Sequence, residues 1–314
     1  MRNFFILLFT LCFVMCAPRQ SDNTISVDLD HPEKASLFDY FSSIELIPLE
    51  TSSDALVQAL TKVVEHEDKY YALDKPQCLI FVFDKAGKFL YKIGTKGQGA
   101  GEYAFISDFN INPFSGNLEI LEPYGRIHVY SLLGDFIETK RISYPEFKVA
   151  HSLAALDNDI YVSHSLFEPK KIAYFDLNKQ ELLHEEFEED MAIGSYSQIP
   201  YQYKDEWFFY RPFHPIVYKI GKKQLEASFK FDFGKYTKDG RTAVLSQEAK
   251  KNFTKNKEEM YAQYSYMIQA VRHNDKYIFA SVLWKDNDHR ANIIYDKSTG
   301  KSKYIIEFDE KVWF

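Results

Sequence analysis

The feature that most constrains the fold is a phrase that recurs about every 45 residues. Each copy has an apolar run, a polar turn and a second strand-like run. The copies are IFVFDKAGKFLYKI from Ile80, IHVYSLLGDFIETK from Ile127, IAYFDLNKQELLHE from Ile172, IVYKIGKKQLEASF from Ile216 and IIYDKSTGKSKYII from Ile293. With Asp84 as marker, the equivalent residues are Ser131, Asp176, Ile220 and Asp296, at steps of 47, 45, 44 and 76. A fixed period of this length is typical of repeat architectures.

Each unit also carries an earlier strand signal in which Asp, Asn or Gly directly precedes an aromatic run. The examples are DKYYALD, GNLEILE, NDIYVSH, DEWFFYR and NDKYIFA. With one more strand upstream, such as TKVVEHE from Thr61, every unit holds four antiparallel strands, which is the pattern of a β-propeller blade. The middle strands, such as Leu79 to Phe83, are apolar at consecutive positions, as in sheets covered on both faces. A β-sandwich is the structural rival, but it gives no reason for the period.

The long last step is explained by a helical insertion from Thr242 to Tyr266, which contains no Gly or Pro. A weakly apolar stripe runs through it (Leu245, Ala249, Phe253, Met260 and Tyr264). We expect this stripe to pack against the chain's own propeller, because surface helices bury such stripes. The rival interpretation is a docking helix for a partner.

The N-terminus reads as a secretion signal over residues 1–16. Its apolar run from Phe4 to Met15 is too short to span a bilayer. Cys16 follows this run, where a lipoprotein precursor has its lipidated cysteine. We therefore predict an exported chain, anchored by lipid on Cys16 at the periplasm or outer membrane, with residues 17–40 as a tether. Cleavage after Cys16 or Ala17 by ordinary signal peptidase is the alternative.

The charge and cysteine content restrict the function classes further. The formal net charge is −7, and Lys and Arg are scattered among Asp and Glu, so nucleic acid is not an expected partner. After processing at Cys16, Cys78 is the one remaining cysteine. The sequence therefore predicts no disulfide framework, and stability has to come from packing.

The phrases IELIPLET from Ile44, FDKAGKFLYKIG from Phe83 and GQGAGEY from Gly97, followed by ISDFNI, carry a family resemblance. Together with the leader ending at Cys16 and the late helical insertion, they resemble the six-bladed, NHL-like β-propeller lipoproteins of Bacteroidetes. The three residues before Cys16 depart from the usual lipobox pattern. The resemblance implies a propeller fold and an envelope address, but no defined activity.

Five complete units run from Thr61 to Phe308, and a lone strand is expected at Ile44–Leu49. In a six-bladed ring this strand would be the outer strand of the last blade. We therefore predict a propeller domain over residues 41–314 that lacks most of the last blade, with an open seam that invites association. The alternative is a closed five-bladed ring, in which the N-terminal strand is not part of a blade or is added at the edge of a sheet.

Four glycines follow a strand in the loop from Gly94 to Gly101. A phosphate loop would continue into a helix, but Glu102, Tyr103 and another strand follow here, so we predict that the glycines shape a crossover between blades. Loops of propellers often bind ligands at the mouth of the central channel. Lys96, Gln98, Glu102 and Tyr103 are therefore candidate ligand-binding residues.

Three further residues are candidates for ligand binding: Asp108 at the start of an inner strand, and Arg211 and His214 in the RPFHP loop. A channel metal would draw on Asp108, His151 and His273, yet no paired-His or Cys-His spacing is present. We predict no metal, no cofactor and no catalytic residue. The favoured hypothesis is a non-catalytic binding or scaffold module for a protein, peptide or glycan; the alternative is a metal-assisted hydrolase or lyase of the lactonase or amidating-lyase kind.

Overall fold

The structure is a computed structural model that describes residues 23–142, 149–165, 170–188, 200–237, 245–285 and 289–309. Within these ranges the regular secondary structure is almost entirely β-strand. Five antiparallel sheets of four consecutive strands follow one another along the sequence, and each is one blade of a β-propeller. The predicted fold class and the predicted number of complete units are confirmed.

Two short strands precede the blades, and the blades themselves take the remaining twenty strands. The first two are β1 (Thr24–Ser26) and β2 (Glu33–Ala35). Blade 1 contains β3 (Leu60–His66), β4 (Lys69–Asp74), β5 (Leu79–Asp84) and β6 (Phe89–Ile93). Blade 2 contains β7 (Asp108–Ile111), β8 (Leu118–Leu121), β9 (Arg126–Tyr130) and β10 (Phe136–Arg141).

The other three blades repeat this order. Blade 3 contains β11 (Ser152–Ala155), β12 (Ile160–His164), β13 (Lys170–Asp176) and β14 (Glu181–Glu188). Blade 4 contains β15 (Tyr201–Tyr203), β16 (Glu206–Tyr210), β17 (Ile216–Ile220) and β18 (Leu225–Asp232). Blade 5 contains β19 (Tyr266–His273), β20 (Tyr277–Trp284), β21 (His289–Asp296) and β22 (Lys301–Phe308).

The recurring phrase is the hairpin between the third and fourth strands of each blade. Its marker residue caps the turn: Asp84 Oδ1 accepts hydrogen bonds from the backbone N–H groups of Ala86 and Lys88, both at 2.9 Å. Ser131 Oγ makes the same two kinds of contact in blade 2. This capping is local, which is why the repeat is visible in the sequence.

The blades pack face to face through apolar side chains. In β5, Ile80 and Val82 pack with Phe109 and Ile120 of blade 2, whereas Phe81 lies on the opposite face. A second cluster joins blades 2 and 3, and the largest joins blades 3, 4 and 5. The consecutive apolar residues of the middle strands are therefore explained by burial on both faces.

The predicted helical insertion contains one helix, α1, over Phe253–Gln263, which is shorter than the expected 242–266. Asn252 is its N-cap, because its side chain accepts a hydrogen bond from the backbone N–H of Lys255. Residues 247–251 form turns before this cap, and 242–244 lie outside the described residues. Met260 and Tyr264 pack against Phe213 and Met267 of the propeller, as the home-packing interpretation predicts.

The N-terminal strands lie on the outer edges of the last two blades. Thr24–Ser26 pairs in parallel with β18, and Glu33–Ala35 pairs in parallel with β22. Both belong to the range predicted as a tether (17–40), although Ile25, Val27 and Leu29 alternate there with polar residues, which is the period of a strand. These strands give blades 4 and 5 a fifth strand each.

The lone strand predicted at Ile44–Leu49 does not form. These residues adopt no regular secondary structure, and none of their backbone groups hydrogen-bonds to another described residue. The physical reason is that a strand needs a partner to satisfy its backbone. The described residues form five blades, so the six-bladed ring implied by the resemblance is not seen.

Candidate functional site

The inner strands of three blades are joined by a polar cluster at the central channel. The Nζ atom of Lys62 on β3 donates to Asp108 Oδ1 at 2.7 Å, to the Phe109 carbonyl at 2.7 Å and to Asn110 Oδ1 at 2.8 Å. The backbone N–H of Leu153 on β11 donates to Asp108 Oδ2 at 3.3 Å. We call Lys62, Asp108 and Asn110 the channel cluster; its charges are paired with one another.

Lys75 lies in the β4–β5 turn near this cluster, and its side chain is exposed. Although the residue is exposed as a whole, the surrounding chain desolvates its ammonium group and lowers the pKa of Lys75; the positive charge of Lys62 acts in the same direction, whereas Asp108 opposes the change. Its ammonium group makes no ion pair with another described residue. Lys75 is thus the cation of this region that remains open to a ligand.

Asp108 is the predicted ligand-binding residue that the structure places in this cluster. Its carboxylate is largely buried and bonds Lys62, so its observed role is to join blades 1 and 2. A ligand would have to displace that ammonium to reach it. Its proposed role in binding stays a prediction.

The four candidates of the glycine loop lie in different environments. Tyr103 is completely buried and contacts the ring of His128 on β9. Glu102 closes the loop, because its Oε2 accepts from the backbone N–H of Gly99 at 2.8 Å. Lys96 and Gln98 are exposed. Exposed side chains are the ones available to a ligand, so Lys96 and Gln98 are the accessible members of this set.

Arg211 and His214 lie in the β16–β17 loop of blade 4, as predicted. Arg211 is buried, and His214 is partly buried. Burial lowers the pKa of His214 to about 4, and the nearby positive charge of Arg211 acts in the same direction. His214 is therefore neutral at pH 7 and can act as a hydrogen-bonding group rather than as a cation.

The residues considered for a metal do not come together. Within the described ranges, no group of three or more His, Cys, Asp or Glu side chains is arranged to hold a metal ion. Asp108 is paired with Lys62, whereas His273 lies at the end of β19 and bonds Tyr201 through Nδ1 at 3.1 Å. The described part of the chain also contains no helix of the length and apolarity needed to span a bilayer. Cys16 lies outside the described residues.

The boundary between blade 5 and blade 1, here called the seam, differs from the other blade boundaries. The seam face of blade 1 carries Ala72, Phe81 and Phe83, and that of blade 5 carries Tyr277 and Ile294. Among the described residues, no buried apolar cluster contains side chains of both blades. Instead, residues 36–59, here called the seam segment, run between the two faces.

The seam segment contacts both faces, and the central side chains of these faces, such as Phe81 and Ile294, are buried. Phe41 stacks on Phe279 of blade 5 with ring centroids 5.5 Å apart, and Tyr40 meets Tyr277 edge to face. At the other end, Ala55 packs on the face of blade 1. Beside Phe41, a cavity of about 260 Å³ lies on blade 5, and its lining combines apolar residues such as Leu37, Phe279 and Phe308 with Arg272, Ser281 and Asn292.

Among the described residues, seven of the sixteen large apolar side chains that are exposed lie in or beside the seam segment. They are Phe38, Phe41, Ile44, Leu46, Leu56, Leu60 and Val63. A group of exposed apolar residues is typical of interaction sites, whereas singly scattered residues are ordinary. The sequence predicted an open seam, but not the cavity or the residues that line it. The seam is therefore the strongest candidate for a functional surface.

Comparisons with known proteins agree with this architecture. A family model described as a domain of unknown function (DUF4934) matches residues 22–311. The crystal structure of a "Putative exported protein" from Bacteroides fragilis is similar at 20% identity and a TM-score of 0.67, covering 90% of this chain and 79% of that one. A member of the DUF4221 family from Bacteroides vulgatus is similar at 13% identity and a TM-score of 0.53, covering 82% of this chain and 83% of that one. No curated protein matches the chain. At these identities the solved structures support the fold alone.

Proposed function

The chain belongs to the DUF4934 family, and from this premise we propose that it is an exported, lipid-anchored β-propeller that binds a partner protein or peptide at the cell envelope. The cellular location is supported by the leader that ends at Cys16 and by similarity in fold to the "Putative exported protein" from Bacteroides fragilis. The partner class is supported by the apolar character of the seam.

The observation that carries this proposal is the exposed apolar surface of the seam segment. At every other blade boundary the sheet faces bury each other, as Ile80 and Ile120 do between blades 1 and 2. At the seam, the described residues that cover the two faces are Ala35 and the seam segment, and the segment itself leaves apolar side chains exposed, such as Leu46 at 60%. Burial of apolar surface contributes roughly 25 cal/mol per Å², so a partner that covered this surface would gain binding free energy.

A protein fits this surface better than a glycan. Sugar recognition needs several polar side chains that converge on hydroxyl groups, whereas most of the residues that line the cavity are apolar and Arg272, Ser281 and Asn292 are its polar members. The enzyme alternative has no comparable support, because the charged groups of the channel cluster pair with one another. The seam therefore favours a binding module over a hydrolase or lyase.

Site-directed photo-crosslinking tests the binding role. p-Benzoylphenylalanine replaces Phe41 on the seam, and in a control protein it replaces Leu133, which is 75% exposed in the outer turn of blade 2. Irradiation in native envelopes is expected to give one discrete adduct from position 41 and none from position 133. Mass spectrometry then identifies the adduct. Equal, heterogeneous labelling from both positions would contradict the proposal.

Substitution of Cys16 tests the proposed lipid anchoring. Cys16→Ser removes the acyl acceptor but leaves the apolar run from Phe4 to Met15 intact. We expect the N-terminal peptide of the unchanged protein to begin at an acylated Cys16, and the variant to carry no acyl group. An unacylated N-terminal peptide in the unchanged protein would rule out lipid anchoring through this residue.

A further inference from the structure

We infer that a further binding site lies between blades 4 and 5, and that it takes a small carboxylate with an aromatic body. The inference goes beyond the proposed function, because this site lies at a different blade boundary from the seam. A cavity of about 280 Å³ lies between the two blades, and the N-terminal residues Asn23 and Ile25 complete its lining. At this size the cavity suits a molecule smaller than a typical drug.

The lining of this cavity combines buried apolar side chains with more exposed polar ones. Phe208, Phe229 and Ile278 are buried, whereas His273 and Tyr295 are partly buried and Lys297 is exposed. Both blades contribute aromatic rings, since Phe208 and Phe229 belong to blade 4 and Tyr295 belongs to blade 5. Aromatic pairs gain interaction energy beyond the area that they bury, so an aromatic ligand fits this lining.

Lys297 supplies a positive charge that makes no ion pair with another described residue. Its Nζ atom donates to the Asn274 carbonyl at 2.5 Å and lies 5.5 Å from the centroid of the Tyr203 ring. The carboxylate of Asp275 is bonded to Lys204 and to the Tyr203 hydroxyl instead. The surrounding chain desolvates the ammonium group of Lys297 and lowers its pKa, although the residue is exposed as a whole. A ligand carboxylate would compensate for this loss of solvation.

The equivalent lysine of blade 1, Lys85, has an acidic partner. Lys85 follows the marker residue of its turn as Lys297 does in blade 5, and it forms an ion pair with Glu65. Glu65 stands directly before the histidine that ends the inner strand of blade 1. In blade 5 the residue before the corresponding histidine is Arg272. A ligand carboxylate can therefore take the place that Glu65 has beside the lysine of blade 1.

His273 provides a second hydrogen-bond donor. Its ring packs against the rings of Tyr203 and Phe208, and its Nδ1 lies 3.1 Å from the Tyr201 hydroxyl. With Nδ1 accepting from that hydroxyl, the neutral imidazole carries its proton on Nε2. Nε2 bonds no other described residue and is not fully buried. The charge of Lys297 acts on His273, so the two groups are close enough for one carboxylate to accept from both.

A β-bulge in the outer strand of blade 4 places Ser228 at the cavity. Ala227 and Phe229 make successive pairs with β17, so Ser228 lies between them without a partner residue. The fourth strands of blades 1, 2 and 3 have a bulge at the equivalent position, and each carries an exposed apolar residue there: Leu90, Ile137 and Leu183. The small side chain of Ser228 leaves space that a leucine would fill.

An NMR titration of the mature protein with phenylacetate tests the inference. Phenylacetamide is the matched control, because it keeps the ring but lacks the negative charge. The histidine side chains are isotopically labelled, and the resonance of His273 is assigned by its loss in His273→Gln. We expect phenylacetate to shift this resonance saturably with a Kd below about 1 mM, and to bind at least about tenfold more tightly than phenylacetamide.

Two pairs of variants locate the site. Lys297→Met should weaken phenylacetate binding at least about tenfold, whereas Lys85→Met, at the paired lysine of blade 1, should leave it unchanged. Ser228→Leu should abolish binding, whereas the opposite exchange in blade 3, Leu183→Ser, should leave it unchanged. A melting temperature within about 3 °C of the unchanged protein shows that a variant is folded. If Ser228→Leu does not fold, the exposed Lys297→Met still decides the result.

Four outcomes would overturn the inference. Phenylacetate may fail to saturate the protein up to about 10 mM, or phenylacetamide may bind equally well. Equal weakening by Lys297→Met and Lys85→Met would assign the effect to general surface charge. A shift of the His273 resonance by methyl β-glucoside but not by phenylacetate would make the cavity a sugar site. None of these outcomes changes the crosslink expected from position 41, so the proposed function is tested separately.

Discussion

The Nζ atom of Lys62 lies 2.7 Å from Oδ1 of Asp108, and this contact joins the inner strands of blades 1 and 2. Both side chains are mostly withdrawn from water, at 20% and 12% exposure. Removing one partner of such a pair leaves an uncompensated charge in a poorly solvated place. We therefore expect Lys62→Met to lower the free energy of unfolding in urea by about 2–4 kcal/mol.

Two comparisons show whether this cost belongs to the pair. The double variant Lys62→Met with Asp108→Asn should recover at least about 1 kcal/mol relative to additivity, because no unpaired charge remains. Lys85→Met removes the exposed pair with Glu65 and should cost less than about 1 kcal/mol. Strict additivity in the double variant would show that Lys62 stabilises the channel through packing alone.

A second polar network lies between blades 2 and 3 and is centred on Glu119. The hydroxyl of Tyr161 donates to Glu119 Oε1 at 2.7 Å and accepts from Asn112 Nδ2 at 2.9 Å. Burial raises the pKa of Glu119, which shows how poorly water solvates this carboxyl. Tyr161→Phe should lower the free energy of unfolding at pH 7 by about 1–3 kcal/mol, because it leaves buried polar atoms without a partner.

The control for this change is Tyr70→Phe, since the Tyr70 hydroxyl makes no hydrogen bond to a described residue and its loss should cost less than about 0.5 kcal/mol. Equal effects of the two substitutions in urea unfolding would contradict a stabilising role for the Glu119 network.

Gly87 holds the seam segment against blade 1. Its φ is +80°, and a Cβ added there would overlap the carbonyl oxygen of Pro48. Gly87→Ala is therefore expected to lower the free energy of unfolding by about 2 kcal/mol and to speed exchange of the Glu50 amide, whose bond to Gly87 is disturbed. Gly134 occupies the same turn in blade 2 with φ +98° and no side-chain or backbone atom closer than 3.6 Å to an added Cβ.

Gly134→Ala thus reports the backbone strain without the contact. The difference between the two alanine variants measures the cost of displacing Pro48. If the two cost the same and the Glu50 amide exchanges at its usual rate, the turn does not hold the segment.

The blades could be predicted because their signals are local. Asp84 caps a turn of residues within four positions of itself, and the same geometry recurs at Asp296, where the cap binds the backbone of Ser298 at 2.8 Å. Such patterns survive without knowledge of the rest of the chain. The helix was also predicted from a local signal, although it begins later than the composition indicated, because Asn252 is its N-cap.

The rest depends on residues far apart in sequence. Thr24 pairs with Lys230, so the partner of β1 could not be found from the sequence, although the alternation of Ile25, Val27 and Leu29 with polar residues is a strand signal that was overlooked. Lys62 was likewise overlooked, because its partners lie 46 to 48 positions away. The prediction of a strand at Ile44–Leu49 was wrong for the opposite reason. The composition of this stretch favours a strand, but the described residues supply no neighbouring strand to pair with it.

His273 makes the stability of blades 4 and 5 depend on pH. Its ring packs against Tyr203, Phe208 and Phe229, and burial lowers its pKa to about 4, with the charge of Lys297 adding to the effect. The unfolded chain takes up a proton near the ordinary pKa of about 6.5, whereas the folded protein does so only near 4. The folded state therefore loses stability as the pH falls through this window, by about 1–3 kcal/mol. His214, with its pKa also lowered to about 4, should contribute in the same direction.

Urea unfolding at pH 7.0, 5.5 and 4.5 is expected to show this decline in the free energy of unfolding, and His273→Gln should make the decline shallower. His31→Gln, at an exposed histidine whose pKa is raised by Asp28, should not reproduce that change. A slope unaltered in His273→Gln would place the acid sensitivity elsewhere.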